Sequence, residues 1–169
     1  ISNSIFFLLA IFPMGVTMAF SAITGILQGN KKTSLYHYFV KDSFTSTIIL
    51  SGLISIVLCI ITKNFEWIDQ PENVTQISKP YFTLLNWSLM PMLIFFFAKN
   101  ISDGFSYTKG GMFVTISALC LNIFLNWVLI YGKLGFTAYG VNGAGYATII
   151  SRVYMAISMF ITLFRSSNT

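Results

Sequence analysis

Charged residues are scarce in this chain of 169 residues, which has ten Lys and Arg, five Asp and Glu, and one His. They make up 9% of the sequence, whereas soluble domains carry about 25%. So few charges exclude the polar surface of an ordinary soluble domain, and five acids with one His leave little material for a hydrolytic or metal active site. An enzyme is therefore the least favoured function. The net charge of +5 does not indicate nucleic-acid binding, because the basic residues are scattered over the links between apolar segments.

Cysteine is also rare. Cys59 and Cys120 lie inside apolar segments without the spacing of metal ligands, so we expect both to be small buried hydrophobic residues.

The sequence shows no charged segment followed by a cleavage motif, as a signal peptide would have. It begins at Ile1 within an apolar run, which predicts a fragment of a longer protein.

Apolar residues fill most of the chain instead. They make up 55%, the mean hydropathy is +0.74, and apolar runs near the length of a bilayer span recur. We therefore predict an all-α, polytopic bundle of transmembrane helices. Pro91 lies in the middle of one span and predicts a kink, while Pro80 is expected in the first turn of that span. The five predicted spans cover residues of about 4–28, 43–63, 80–99, 111–131 and 143–164.

The charges of the links predict an orientation. The links at 29–42 and 99–110 and the tail after 164 hold six basic residues, and the opposite side holds three, Lys63, Lys79 and Lys133. Because short cytoplasmic loops are enriched in Lys and Arg, we place the first group in the cytoplasm.

Two asparagines lie one helical turn apart in the fourth span, at Asn122 and Asn126. Polar side chains at one depth of a membrane protein are a functional site by default, and an amide carbonyl is a hard oxygen that suits Na⁺ or hydrogen-bonds a carboxylic acid. The alternative is a pair of interhelical amide bonds, worth about 0.6 to 2 kcal/mol each. The spacing alone leaves both interpretations open.

The fifth span carries two parallel rows of residues at four-residue spacing. The small residues of the first row would let another helix approach closely. The second row ends at Arg152, the one charge well inside an apolar span, which should face a cavity or pair with an acid outside this chain. The first row is Gly143, Ala147 and Ser151, and the second is Ala144, Thr148 and Arg152.

Polar residues also follow one face of the first span, starting at Thr17 and Ser21 and continuing to Thr24 and Gln28. Small polar residues at such spacing are typical of hydrogen bonding between membrane helices. The alternative is that Thr17 and Ser21 form a wall of a solute cavity.

These motifs resemble the multidrug and toxic compound extrusion (MATE) family. The similarity extends in order over nearly the whole chain and is most specific at 102–148. The part at 122–148 resembles the stretch that joins the fifth and sixth helices of that family. The similar segments are MGVTMAF at 14–20, QGNKK at 28–32, SDGFSYTK at 102–109, NIFLNWVLIYG at 122–132, GF at 135–136 and GVNGAGYAT at 140–148.

The resemblance implies an antiporter of twelve helices in two lobes, with residues 1–169 as helices two to six of the amino-terminal lobe. The family's cation site there would include Asn122 and Asn126 on helix five and Ala144 and Thr148 on helix six. It would also need an acid on helix one, outside this chain. Some branches carry Asp at the position of Asn126, so the Asn here implies no proton carrier at this position.

The implied function is export of drugs or other small organic, often cationic, compounds by alternating access, driven by Na⁺ or H⁺. The implied partners are the lipid bilayer, the substrate, the coupling cation and the remaining helices, in the cell (inner) membrane, with no cofactor besides the ion. One alternative is a flippase for lipid-linked oligosaccharides of the same superfamily, whose cationic cavity would have only Arg152 as support. The other is a non-transporting membrane scaffold whose Asn pair only packs helices.

Overall fold

The structure is a computed structural model that describes residues 2–30, 33–65 and 72–167. These residues form helices and no strand, and five helical segments are long and apolar enough to cross a membrane. The prediction of an all-α bundle with five spans is therefore confirmed. The helices are α1 (Ser2–Gly29), α2 (Thr33–Lys63), α3 (Glu72–Trp87), α4 (Leu89–Gly104), α5 (Thr108–Tyr131) and α6 (Val141–Ser167).

The helices extend beyond the apolar runs, and the third span shows this most clearly. Its first helix, α3, begins at Glu72, so the prediction that Pro80 lies in the first turn is wrong. Pro80 lies inside α3, at a place where a membrane helix tolerates the lost N–H because neighbouring groups satisfy the freed carbonyl. Hydropathy marks the segment inside the bilayer, whereas the backbone hydrogen bonds of a helix continue into polar turns at its ends.

The third span is broken at Ser88, between α3 and α4. Pro91 has no N–H to donate to the carbonyl of Trp87 four residues earlier, and its ring crowds that carbonyl. The N–H of Ser88 turns back to the carbonyls of Leu84 and Leu85, each at 3.1 Å. The helix is therefore interrupted at Ser88, three residues before Pro91, and the kink at Pro91 stays a prediction.

The third span is the centre of the bundle. In its most apolar stretch 56% of the residues are buried, against 17–28% in the other four spans. Helix α4 contacts α1, α2 and α6 extensively. Two clusters of large apolar side chains fill the interfaces, one around the α3–α4 break and one around the second half of α4. The first contains Phe6, Leu58, Phe65, Phe82, Leu89 and Leu93, and the second contains Phe20, Phe95, Phe97, Ile101, Val114 and Met159.

The prediction for the two cysteines is wrong. Cys59 and Cys120 are both free and exposed. They lie on the peripheral helices α2 and α5, and Cys59 is exposed although Asn86 of α3 donates a hydrogen bond to its Sγ. Hydropathy places a residue in a span, but it does not tell which face of the helix enters the core.

Candidate cation site

The last turn of α5 and the first turn of α6 are in direct backbone contact. Helix α5 ends at Tyr131 and is followed by Gly132, whose left-handed φ of 67° suits glycine because it has no Cβ. The returning chain bonds back to α5, with the Tyr139 N–H donating to the Leu129 carbonyl at 2.9 Å. A Cβ on Gly143 would lie 2.6 Å from that carbonyl oxygen. The site is therefore built on two helices that only a glycine allows to come this close.

The row of small residues continues this contact along α6. Ala147 is fully buried against Val128 and Leu129 of α5, and Ser151 is buried as well. The prediction that this row lets another helix approach closely is confirmed, and the other helix is α5.

The asparagine pair lies on α5, one turn before this contact. Asn126 Nδ2 donates to Asn122 Oδ1 at 2.9 Å, and both residues are half-buried. The bond joins two residues of one helix, so the alternative of amide bonds between helices is not found for this pair within the described chain. Asn126 Oδ1 is buried and has no hydrogen-bond partner among the described residues.

An unpaired buried acceptor costs roughly 1–3 kcal/mol. The donated bond from Asn126 to Asn122 orients the amide, and it fixes which oxygen of the pair stays free. The arrangement offers a hard carbonyl oxygen at membrane depth. Such an oxygen can bind Na⁺ or accept a hydrogen bond from a protonated carboxyl group.

A second acceptor of the same kind lies in the first turn of α6. Asn142 Oδ1 is buried and has no partner among the residues that the structure describes. Asn142 directly precedes Gly143, so it lies at the end of the bundle where α5 and α6 touch. The sequence interpretation missed this residue, although its place at the start of the small-residue row was a usable signal.

Ala144 and Thr148, the two residues of α6 predicted for the cation site, are half-buried. The hydrogen bond between them stays within α6. The Thr148 hydroxyl donates to the Ala144 carbonyl at 2.8 Å. In the described structure no hydrogen bond joins this pair to Asn122 or Asn126. The Thr148 oxygen keeps its lone pairs as an acceptor, so it remains suitable as a ligand.

Thr17 and Ser21 lie in helix packing. Thr17 is buried and its hydroxyl donates to the Met14 carbonyl at 2.7 Å, within α1. The backbone oxygen of Ser21 would lie 2.8 Å from a Cβ on Gly104, so α1 and α4 touch there. These contacts favour the packing interpretation over a cavity wall.

Arg152 joins three helices. Its guanidinium donates to the hydroxyl of Ser88 at the α3–α4 break and lies 5.0 Å from the centre of the Phe6 ring on α1, a cation–π distance. The salt bridge found in the described part of the chain is between Lys99 and Asp103, and the Arg152 guanidinium faces the helix break. The acid considered for Arg152 lies outside this chain, so that pairing stays a prediction.

We expect Ser88→Ala to destabilise the full-length protein by roughly 1–3 kcal/mol, because the buried guanidinium loses its acceptor. In an Arg152→Met background the same change should cost less, since only the bond from the Ser88 hydroxyl to the Leu85 carbonyl at 2.6 Å is then lost. Unfolding in detergent of the native protein, the two single variants and the double variant measures this double-mutant cycle. Ser117→Ala, which removes the exposed bond from Tyr154, serves as the control. An equal cost in both backgrounds would contradict the coupling.

A polar network outside the predicted site links α2 to α3. Asn86 is buried, accepts from the Ser55 hydroxyl at 2.8 Å, and donates to the Ser55 carbonyl and to Cys59 Sγ. The sequence analysis identified neither Asn86 nor Ser55. Ser55 and Cys59 lie one turn apart, and that spacing was the available signal.

The sequence model of the MatE family matches residues 1–128, which is more than half of the chain and includes both asparagines of the pair. The chain belongs to the MatE family. The resemblance to multidrug and toxic compound extrusion proteins is thereby confirmed, and with five apolar spans the chain is a multi-pass membrane protein.

Relatives of this MatE chain carry names that refer to drug resistance. The "Probable multidrug resistance protein NorM" of Pasteurella multocida is 31% identical over 94% of the chain, and that of Haemophilus ducreyi is 30% identical over 95%. The "Probable multidrug resistance protein YoeA" of Bacillus subtilis is 28% identical over 94%. The chain spans about a third of the length of these curated relatives, 34–35%. Their similarity extends into α6, whereas the MatE family match ends at residue 128.

Proposed function

We propose that the protein is a cation-coupled antiporter of the cell (inner) membrane. It exports drugs or other small organic, often cationic, compounds by alternating access, and this chain is part of its amino-terminal lobe. Membership of the MatE family and relatives named as multidrug resistance proteins support drug export. The observation that carries ion coupling is the buried, unpartnered Oδ1 of Asn126 beside Asn122.

The coupling ion would bind where α5 meets α6. Na⁺ would take the free oxygen of Asn126 and oxygens of α6 such as the Thr148 hydroxyl, while H⁺ would reside on a carboxyl group that donates to Asn126. Neither ion needs the Asn to carry a proton. The compact contact of Gly143 with Leu129 favours movement of α5 and α6 as one unit, and the break at Ser88 is where the third span bends at least cost.

Transport by the full-length protein in vesicles tests the proposal. With ethidium as the probe, an imposed Na⁺ gradient or pH gradient should drive its movement against its own gradient, and one of the two ions should account for the effect. The matched control is vesicles with both gradients collapsed. No gradient-driven movement under either ion would overturn the antiporter and favour a scaffold.

A further inference from the structure

Arg152 places a positive charge at the middle of the fifth span. Eleven residues precede it and eleven follow it in the span Val141–Leu163, so its backbone lies near mid-membrane. Its guanidinium donates to the Ser88 hydroxyl and lies over the Phe6 ring, and neither partner carries a charge. A charged group at this depth is a functional group by default.

The other groups around the guanidinium are also neutral. The Ser88 side chain is fully buried and donates its hydrogen to the Leu85 carbonyl at 2.6 Å, so it meets Arg152 with a lone pair of its oxygen. The titratable side chain that interacts with Arg152 among the described residues is Tyr81 of α3, a phenol that donates to Asn3 Oδ1 at 3.2 Å. Within the described chain the charge of Arg152 is therefore not compensated.

Close packing fixes the position of this charge. A Cβ on Gly145 would lie 2.9 Å from the Cβ of Leu84, so α6 and α3 are in contact two turns before Arg152. Phe6 is fully buried, and its ring borders the guanidinium from the side of α1. The charge is thus held at a defined distance from the other residues of α6.

The proposed ligand on α6 lies one helical turn from Arg152. Thr148 and Arg152 are four residues apart, which is a rise of about 6 Å and a rotation of about 40°. Side chains of a helix lean toward its N-terminus, so the side chain of Arg152 extends back toward the level of Thr148. This geometry places the guanidinium roughly 10 Å from the Thr148 hydroxyl.

We propose that Arg152 sets the affinity of the cation site by electrostatic repulsion. The inference rests on the proposed antiporter function, because it needs a monovalent cation at Asn126 and Thr148. At about 10 Å and an effective dielectric constant of about 20, one unit charge weakens cation binding by roughly tenfold. Arg152 thus keeps the ion weakly bound, and weak binding lets the ion leave its site as readily as it enters.

An acid from a helix outside this chain leaves the direction of this effect unchanged. When such a carboxylate pairs with Arg152, the guanidinium competes with the ion for it. Loss of the guanidinium then frees a carboxylate that attracts the ion, so binding again becomes tighter.

Arg152→Gln in the full-length protein tests the charge, because Gln is neutral and keeps an N–H donor for Ser88. In ion-driven efflux of ethidium, the Na⁺ concentration at half-maximal activation should fall about tenfold. With H⁺ as the coupling ion, the pH at half-maximal activation should rise by about one unit, since a carboxyl group takes up its proton more readily without the nearby charge. Arg152→Lys keeps the charge and should stay within about twofold of the native value.

Lys133→Gln is the matched control, because it removes the same charge from the link between α5 and α6. Lys133 is exposed and follows Asn126 by seven residues, which is about 10 Å at 1.5 Å per residue. Water and salt screen an exposed charge, so this variant should change half-maximal activation by less than about twofold. The two charges differ mainly in burial, and the comparison isolates that difference.

Ser88→Ala separates the charge of Arg152 from its hydrogen bond. It removes the bond and keeps the charge, so half-maximal activation should again stay within about twofold of the native value. A residue that only holds α6 against α3 gives the opposite pattern. Both Ser88→Ala and Arg152→Gln would then weaken ion binding, because α6 would move away from α3.

Unchanged or weaker ion binding in Arg152→Gln would overturn the proposal, as would an equal shift in Arg152→Lys. Arg152→Met is a second neutral variant for the same measurement if Arg152→Gln does not fold. A native protein without any ion activation would overturn the antiporter and the role of Arg152 together. That failure is seen in the native protein, whereas failure of the electrostatic role alone is seen only in the variants.

Discussion

Asn126→Ala is expected to reduce ion-driven efflux by the full-length protein to the background of empty vesicles, while membrane insertion stays largely intact. The change removes the buried Oδ1 that has no partner, which is the proposed ligand of the ion. It also removes the Nδ2 donor that orients Asn122 Oδ1 at 2.9 Å, so both oxygens of the pair are affected by one substitution. Efflux of ethidium at increasing concentrations of the coupling ion measures the loss.

Asn64→Ala is the control for this substitution. Asn64 directly follows α2, and its Nδ2 donates an exposed hydrogen bond to the carbonyl of Ile60, four residues earlier, at 3.0 Å. Its replacement should leave efflux and ion dependence unchanged. Asn126→Asp keeps an oxygen at the same position and should retain coupling, with a new dependence on pH. If Asn126→Ala kept the native dependence on the ion, the Asn pair would be structural.

The parts of the fold that depend on local sequence could be predicted. Hydropathy located all five spans, and the third span is interrupted three residues before Pro91, whose missing N–H acts on the residue four positions earlier. The row of small residues that begins at Gly143 predicted a close helix contact. This too depends on local sequence, because small side chains leave room for a neighbouring helix whichever helix that is. The prediction that Pro80 lies in the first turn was wrong because a proline inside a membrane helix has the same local sequence pattern as one at the start of a helix.

The parts that depend on tertiary contacts could not be predicted. Arg152 lies against Ser88, 64 residues away in sequence, and nothing local to either residue shows that the other is its partner. Cys59 was placed in the core, yet it is exposed and accepts a hydrogen bond from Asn86. The asparagine pair was found from its spacing. That Asn126 Oδ1 has no hydrogen-bond partner among the described residues could be identified only from the three-dimensional arrangement of its neighbours.

Gly143→Ala is expected to destabilise the full-length protein by roughly 1–3 kcal/mol, the usual cost of overpacking, and to weaken ion activation of efflux. The new Cβ would lie 2.6 Å from the backbone oxygen of Leu129 and 2.7 Å from its carbonyl carbon. Backbone atoms cannot rotate away as a flexible side chain can, so α5 and α6 must separate. Separation changes the position of Asn126 relative to Thr148, and the stability change and the activity change should therefore appear together.

Gly15→Ala is the matched comparison for Gly143→Ala, and we expect it to have the opposite effect on stability. Gly15 lies inside α1, and its added Cβ would meet nothing within 4 Å, so the substitution should stabilise by about 0.5–1 kcal/mol through helix propensity and the reduced entropy of the unfolded chain. The same one-carbon change thus has opposite signs at two helical glycines, and only the position between α5 and α6 affects ion activation. Unfolding in detergent and ion-titrated efflux test both. If Gly143→Ala were as stable and as active as Gly15→Ala, the close contact of α5 with α6 would not position the cation site, and the site would have to be built from other helices.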